Sequence, residues 1–237
     1  MKKVLCILGV TTLLMACGNL DQVVQTIEQE ARNFNQSTLT SADIAKGLKE
    51  ALSVGTGNAV SRLNKQGGYL NNPALRIPFP KDVQKVADKL RDMGMSKLVN
   101  DFEKSMNQGA EKAAAKAKPI FVDAIRKMTL NDARKILTDG NGAATAYFKR
   151  SSESKLYSAF YPSIKSALGQ VNATKYWSDI VGNYNKIPFV EKVNTDLTDY
   201  VTNMALQGLF NEVEKEENKI RTDPQARVTD LLKRVFS

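Results

Sequence analysis

Histidine is absent from the 237-residue chain, and its two cysteines, Cys6 and Cys17, both lie near the N-terminus. Without histidine or a cysteine in the body, a Ser-His-Asp triad, a Cys-His pair and the usual zinc sites are excluded, and no disulfide can staple the fold. Any catalysis would have to rest on carboxylates, Lys, Tyr or Ser, or on an oxygen-ligated metal. No motif for a metal or cofactor occurs, so neither is expected. Convincing period-two alternation and fixed-length repeats are also missing, which argues against sheets and solenoids and leaves an all-α class, an irregular multi-helix bundle. Long apolar runs are lacking too: Val4 to Leu14 is too short to cross a membrane and remain there.

That short run still carries information. It follows Lys2 and Lys3 and leads into Leu14-Met15-Ala16-Cys17, the layout of a secretory signal. The four residues resemble the box read by bacterial lipoprotein signal peptidase, in which a leucine and small residues precede the cysteine that becomes the lipid-bearing first residue. Residues 1–16 are therefore read as a lipoprotein signal peptide and Cys17 as the site of lipid attachment, palmitate included. The alternative, ordinary cleavage after Ala16, would leave an exposed, unpaired thiol in an oxidising compartment. Gly18 is not the aspartate that retains the enterobacterial lipoproteins it resembles at the inner membrane. The resemblance thus implies delivery to the outer membrane, facing the periplasm, with the lipid bilayer as partner through acylated Cys17.

Lysine and arginine number 34 against 25 acids, a formal charge of +9. Losing Lys2 and Lys3 with the signal leaves the chain clearly basic, which suits an anionic neighbour. In a cell envelope the available polyanions are phospholipid and lipopolysaccharide head groups, so an anionic envelope component is expected and nucleic acid is not. The plainer reading of the same excess is solvated Lys on helix faces.

Residues 17–40 read as a lipidated, partly helical tether, with Leu20, Val23, Val24, Ile27, Ala31 and Phe34 near helical spacing. Residues 41–237 read as one helical domain. Ser41 is placed as an N-cap, and Ile44, Leu48, Leu52, Val60 and Leu63 form one stripe, with Gly55 and Gly57 admitting close packing. Gln66 to Lys81 is irregular because of its prolines and glycines. Helices are predicted at Asp82 to Met93 and Ser96 to Lys118, the second burying Leu98, Val99, Phe102 and Met106. Pro119 starts the next, and Thr129 with Asp132 forms a capping box. Ala143 to Arg150 and Leu156 to Val171 follow, Pro162 kinking or breaking the latter. Tyr157, Tyr161, Tyr176, Trp177 and Tyr184 are core or rim residues or suit a membrane interface. Beyond a linker around Pro188, a long helix runs from Asp196 to Arg221. Asp223-Pro224 is expected to cap a last helix that lays Leu231, Leu232, Val235 and Phe236 on the body.

The candidate polar residues are Asn58, Tyr69, Asn72, Arg76, Glu217, Arg221, Asp223 and Arg227. In the Gln66–Lys81 loop, Tyr69, Leu75, Ile77 and Phe79 are expected to pin the chain across the bundle. The competing reading has Asn71, Asn72 and Arg76 facing a ligand. Glu212, Glu214, Glu216 and Glu217 precede Arg221, Asp223 and Arg227, so several acids could meet near one helix junction. A run of this kind is ordinarily a solvated face. In the Asp223 corner, Arg221 or Arg227 is expected to pair with an acid.

The segments Ala51 to Leu63, Asn72-Pro73 with Ile77-Pro78, Ala117 to Ile125 with Met128-Thr129, and Ile220 to Arg227 through Phe236 resemble a widespread family of uncharacterised bacterial proteins. The family is known as a domain of unknown function, many of whose members look like secreted proteins or lipoproteins. The resemblance covers nearly the whole chain from Ala45 and carries no catalytic assignment. Three functions are compatible with these observations. The first is a membrane-anchored envelope lipoprotein acting as a non-enzymatic binding or structural module. The others are a carrier of an apolar ligand or lipid in a helical cavity and a carboxylate-dependent enzyme.

Overall fold

Ala, Leu and Lys at helical spacing, punctuated by Gly and Pro, produce a succession of helices. A computed structural model describes residues 40–79, 84–170, 173–186, 188–189, 192, 196–227 and 229–235. The chain separates into two units, Met1–Thr40 and Ser41–Ser237, and all described residues but Thr40 belong to the second. Cys17 and the tether, like Phe236, lie outside the described residues. Within the second unit the helices are α1 Ser41–Leu63, α2 Gln84–Asp92, α3 Ser96–Ala114, α4 Ala117–Lys127, α5 Leu130–Thr138, α6 Ala143–Gly169, α7 Ala173–Tyr184, α8 Leu197–Thr222 and α9 Asp230–Val235. The class is all-α, as the sequence predicts, and no strand occurs among the described residues.

The long helices α6 and α8 form the centre. Tyr157 Oη donates to Asp199 Oδ1 at 2.5 Å and Thr145 N donates to Glu217 Oε2 at 3.0 Å, so the two helices run antiparallel. Leu156, Phe160, Ile164 and Leu168 of α6 are fully buried, each contributing about 1.5–3 kcal/mol by leaving water. α6 passes through Pro162 without interruption, so of the kink or break expected there the break does not occur. Pro162 and Ser158 both lie on the exposed face, so water can satisfy the carbonyl that loses its helical donor.

α3 and α4 are almost one helix. Ala115 and Lys116 keep right-handed helical angles, but Pro119 lacks an N–H and its ring would clash with the carbonyl of Ala115. The separation therefore falls at Ala115-Lys116, and Pro119 sits in the first turn of α4. Val99, Met106, Ala110 and Ala113 bury the inner face of α3, whereas Leu98 is 50 % exposed. That corrects its assignment to the core, because Leu98 is rotated about 100° from Val99 around the helix. The predicted capping box forms: Asp132 N donates to Thr129 Oγ1 at 3.1 Å and Thr129 N to Asp132 Oδ2 at 3.0 Å.

Gly55 does mark a close approach, since a Cβ there would lie 3.3 Å from Ile220 Cδ1 on α8. Gly57 does not, with open space around it. At the other end of the chain, α9 lays Leu231 and Val235 over Gly47 of α1. The side chain of Leu232 lies outside the described residues. Asp223 caps a single 3-10 turn, Pro224–Ala226, with Gln225 N donating to its Oδ1 at 2.9 Å. This corrects its predicted role at the last helix, which begins seven residues later at Asp230, while Arg227 closes the end of α8. Of the aromatic residues singled out, Tyr161 Oη donates to Asp196, the N-cap of α8, and Trp177 is buried against Phe102 and Tyr200; the side chains of Tyr176 and Tyr184 lie outside the described ones.

Candidate functional site

The sequence candidates lie on α1 (Asn58), in the segment between α1 and α2 (Tyr69, Asn72, Arg76), on α8 (Glu217, Arg221) and just beyond it (Asp223, Arg227), and the polar contacts around them fall into two linked clusters. On α8, Glu212 and Glu216 are one turn apart and face Asn58 and Arg62, also one turn apart, on antiparallel α1. Arg62 Nε donates to Glu212 Oε2 at 3.0 Å and Arg62 Nη2 to Glu216 Oε1 at 2.7 Å. Asn58 Nδ2 donates to Glu216 Oε2 at 2.8 Å, and Lys215 Nζ to Glu212 Oε1 at 2.6 Å. Burial alone would push the Glu212 carboxyl up, but hydrogen bonds from Lys215 and Arg62 outweigh it and hold it below the ordinary carboxylate range. Burial likewise opposes the Arg62 charge, and its bonds to Glu216 and Glu212 overcome it and raise the guanidinium further.

Glu217 points to the opposite side of α8, towards the start of α6. The N-cap of α6 is Gly142, at φ 81°, and has no side chain with which to cap. Glu217 caps from a distance instead: Ala144 N donates to Oε1 at 3.1 Å, Thr145 N to Oε2 at 3.0 Å and Thr145 Oγ1 to Oε2 at 2.9 Å. A carboxylate at a helix N-terminus also interacts favourably with the helix dipole. Arg221 completes the group, donating to Glu217 Oε1 through Nη2 at 3.0 Å and to the Ile136 carbonyl at 2.6 Å.

The acid run is thus not the solvated face its composition resembles. Glu212, Glu216 and Glu217 are buried and only Glu214 is exposed. Besides Lys215 and Arg221 of α8 itself, their partners come from α1 and α6, more than 70 residues away in sequence, which no local spacing rule reveals. Among the described residues Arg227 pairs with no acid: its Nε donates to the Ile220 carbonyl at 3.2 Å and its Nη2 to the Arg221 carbonyl at 2.9 Å, closing the C-terminus of α8. Arg221 does pair with an acid, but with Glu217 in its own helix rather than across the corner.

The second cluster holds the loop after α1. Tyr69 and Ile77 are fully buried and Leu75 nearly so, which places them as pins rather than as ligand contacts. Tyr69 Oη donates to the Ala205 carbonyl at 2.8 Å, and burial, then the nearby charges of Glu212 and Glu111, push its hydroxyl well up. Its ring fits only because position 208 is glycine, where a Cβ would lie 2.8 Å from Tyr69 Cε1. Asn72 Oδ1 accepts from Ala74 N at 3.1 Å, a local turn, and Arg76 Nη2 donates to Glu103 Oε2 at 2.9 Å.

Sequence reasoning missed the α3 residues that receive this loop. Glu103, Asn107 and Glu111 recur every fourth residue and so share a face. Asn107 accepts from Ile77 N at 2.8 Å and donates to the Ile77 carbonyl at 3.0 Å, and Glu111 Oε1 accepts from Tyr69 N and Leu70 N, both at 3.1 Å. The available signal was a polar stripe beside the apolar one of a helix that must be buried on more than one side. Above the loop lies an open cleft of about 400 Å³ lined by Arg62, Lys65, Gln66, Asn71, Asn72 and Glu212, among others. It joins the two clusters. Among the described residues, no three acidic side chains converge to hold a metal ion.

A family match extends over residues 38–237 and takes in every helix of the bundle. The chain belongs to the DUF4197 family. That family is described as a protein of unknown function, so membership fixes kinship and transfers no chemistry. No curated protein and no solved structure matches the chain. Among the described residues, no helix is long and apolar enough to cross a membrane.

Proposed function

We propose that the protein is an envelope lipoprotein, held to the outer membrane on its periplasmic side through a lipid on Cys17, whose helical domain acts as a non-enzymatic binding or structural module. The address is supported by Leu14-Met15-Ala16-Cys17 and by Gly18. The non-enzymatic part is carried by one observation: Glu212, Glu216 and Glu217 each accept hydrogen bonds on both carboxylate oxygens from donors within the bundle. A general acid or base works best with a pKa near the operating pH and within reach of substrate. Glu212 is held ionised instead, and its neighbours occupy both oxygens. The open cleft beside Arg62 and Asn72 offers polar groups at its rim for a partner.

Fractionation of cells expressing the full chain tests the address. Wild type should pellet with outer membranes and carry an acylated N-terminal Cys17, and Cys17→Ser should not. Unmodified Cys17 in a freely soluble protein sinks the address. The module is tested with Glu216→Gln and Glu217→Gln, which should lower stability while leaving in-cell crosslinks to envelope partners at the wild-type level. Crosslinks lost from a fully stable variant would reassign these acids to function.

A further inference from the structure

The second charged region of the bundle lies on the side of α3 away from the loop. Lys112 and Lys116 are four residues apart, and because Ala115 and Lys116 keep helical angles, their side chains project from one face with Cβ atoms about 6 Å apart. Facing them are Ser163 and Ser166 on α6 and Gln170 at its C-cap, which form with them a cleft of about 390 Å³ whose walls include Ala159 and Ala167. No acid is among the described residues that line this cleft. Several exposed lysines pair with carboxylates, Lys97 with Asp101, Lys127 and Lys155 with Asp123, and Lys233 with Asp230; others, such as Lys104 and Lys165, have no such pair among the described residues, and Lys112 and Lys116 stand apart in sharing one cleft. Lys112 and Lys116 have no ion-pair partner among the described residues, and the neighbouring Glu111 points away to bind the backbone at Tyr69 and Leu70.

Two ammonium groups beside two hydroxyls and an amide, with no competing carboxylate, form a donor-rich site for an anion with several acceptor oxygens. We infer that the cleft between α3 and α6 binds a phosphate-bearing group, with Lys112 and Lys116 supplying charge and Ser163, Ser166 and Gln170 supplying hydrogen bonds. The cleft is larger than a phosphate alone, leaving room for the glycerol or sugar that carries it. No aromatic side chain lines it, so the stacking platform that single-stranded nucleic acid uses is missing. The inference rests on the binding-module reading and gives that module a ligand class and a location.

The test uses the full chain with Cys17→Ser, so that no acyl chain contributes to vesicle binding. One arm titrates glycerol 3-phosphate by calorimetry. The other floats the protein with phosphatidylglycerol or phosphatidylcholine vesicles. Binding should fall by at least about tenfold in K112Q/K116Q, survive in K112R/K116R, and weaken as salt rises. Circular dichroism and thermal melts of each variant establish that it is folded. Lysine-dependent binding of glycerol 3-phosphate without vesicle binding identifies a soluble phosphate ester as the source. Lysine-dependent binding to phosphatidylglycerol but not phosphatidylcholine identifies a lipid head group. Binding of neither probe, or equal binding by K112Q/K116Q, overturns the inference. Its failure leaves the membrane address intact, because that is read separately from the acylation of Cys17 in the lipidated chain.

Discussion

Two charged regions of this bundle use similar residue types to opposite effect. Along α8, Glu212, Glu216 and Glu217 are buried and saturated by Arg62, Asn58, Lys215, Arg221 and the first turn of α6. Across the α3–α6 cleft, Lys112 and Lys116 are exposed beside Ser163, Ser166 and Gln170, with no acid among the described lining residues. A buried charge has to be matched within the fold, since desolvating it alone costs several kcal/mol. An exposed charge is matched by water, so it remains available to an outside partner. The difference separates charges that fasten helices from charges that can receive a ligand.

The largest test of that division is Glu217→Ala. It leaves the first turn of α6 uncapped and strands Arg221, whose side chain is only 14 % exposed, so urea denaturation should show a loss of about 3–5 kcal/mol. A loss under about 1 kcal/mol would mean that water substitutes freely at this site and that the region is not buried in the relevant sense. Arg62→Ala comes next. Its side chain is 42 % exposed and therefore partly screened, which puts the expected loss near the lower limit for a broken buried pair, about 3 kcal/mol. Full stability in this variant would remove the fastening role assigned to the α1–α8 pairs.

Acid sharpens the same contrast. The Glu212 carboxyl is held below its ordinary value of 4.5, so its contribution is fully present above that value and is lost as pH falls through the lower folded value. Melting temperatures measured from about pH 6 down to about pH 3 should fall less steeply in Glu212→Gln than in wild type. Parallel curves would show that Glu212 does not contribute to acid sensitivity. Asp223→Ala should cost only about 0.5 kcal/mol, the low end for a lost cap, because Asp223 closes a three-residue turn rather than a helix.

The smallest effect is expected in the cleft. Without ligand, the double substitution Lys112→Gln and Lys116→Gln should change stability by no more than about 0.5 kcal/mol, and relief of repulsion between like charges one turn apart could make the sign favourable. A loss above about 1.5 kcal/mol would place these lysines among the fastening charges and dissolve the comparison.

Helical periodicity, turn residues and prolines were enough to establish the all-α class, the capping box at Thr129 and the start of α8 at Asp196, because these depend on neighbours within a few residues. The same local logic placed Tyr69, Leu75 and Ile77 as pins, since apolar side chains in an irregular loop have few other ways to leave water. It failed where a partner lies far along the chain. The four glutamates of α8 read as solvated because an isolated helix would expose them; Glu214 is indeed exposed, and burial of the other three became possible only when antiparallel packing brought Arg62, Asn58 and Thr145 against them. Asp223 read as a helix cap because Asp-Pro commonly is one, yet Arg227 folds back onto the last carbonyls of α8 and α9 begins only at Asp230. The unmatched pair Lys112 and Lys116 was likewise invisible, since a lysine's lack of an acid is a property of everything around it. Local sequence chose the helices; tertiary contact alone decided which charges were matched and which stayed open, because electrostatic matching depends on distances in space and not on separation along the chain.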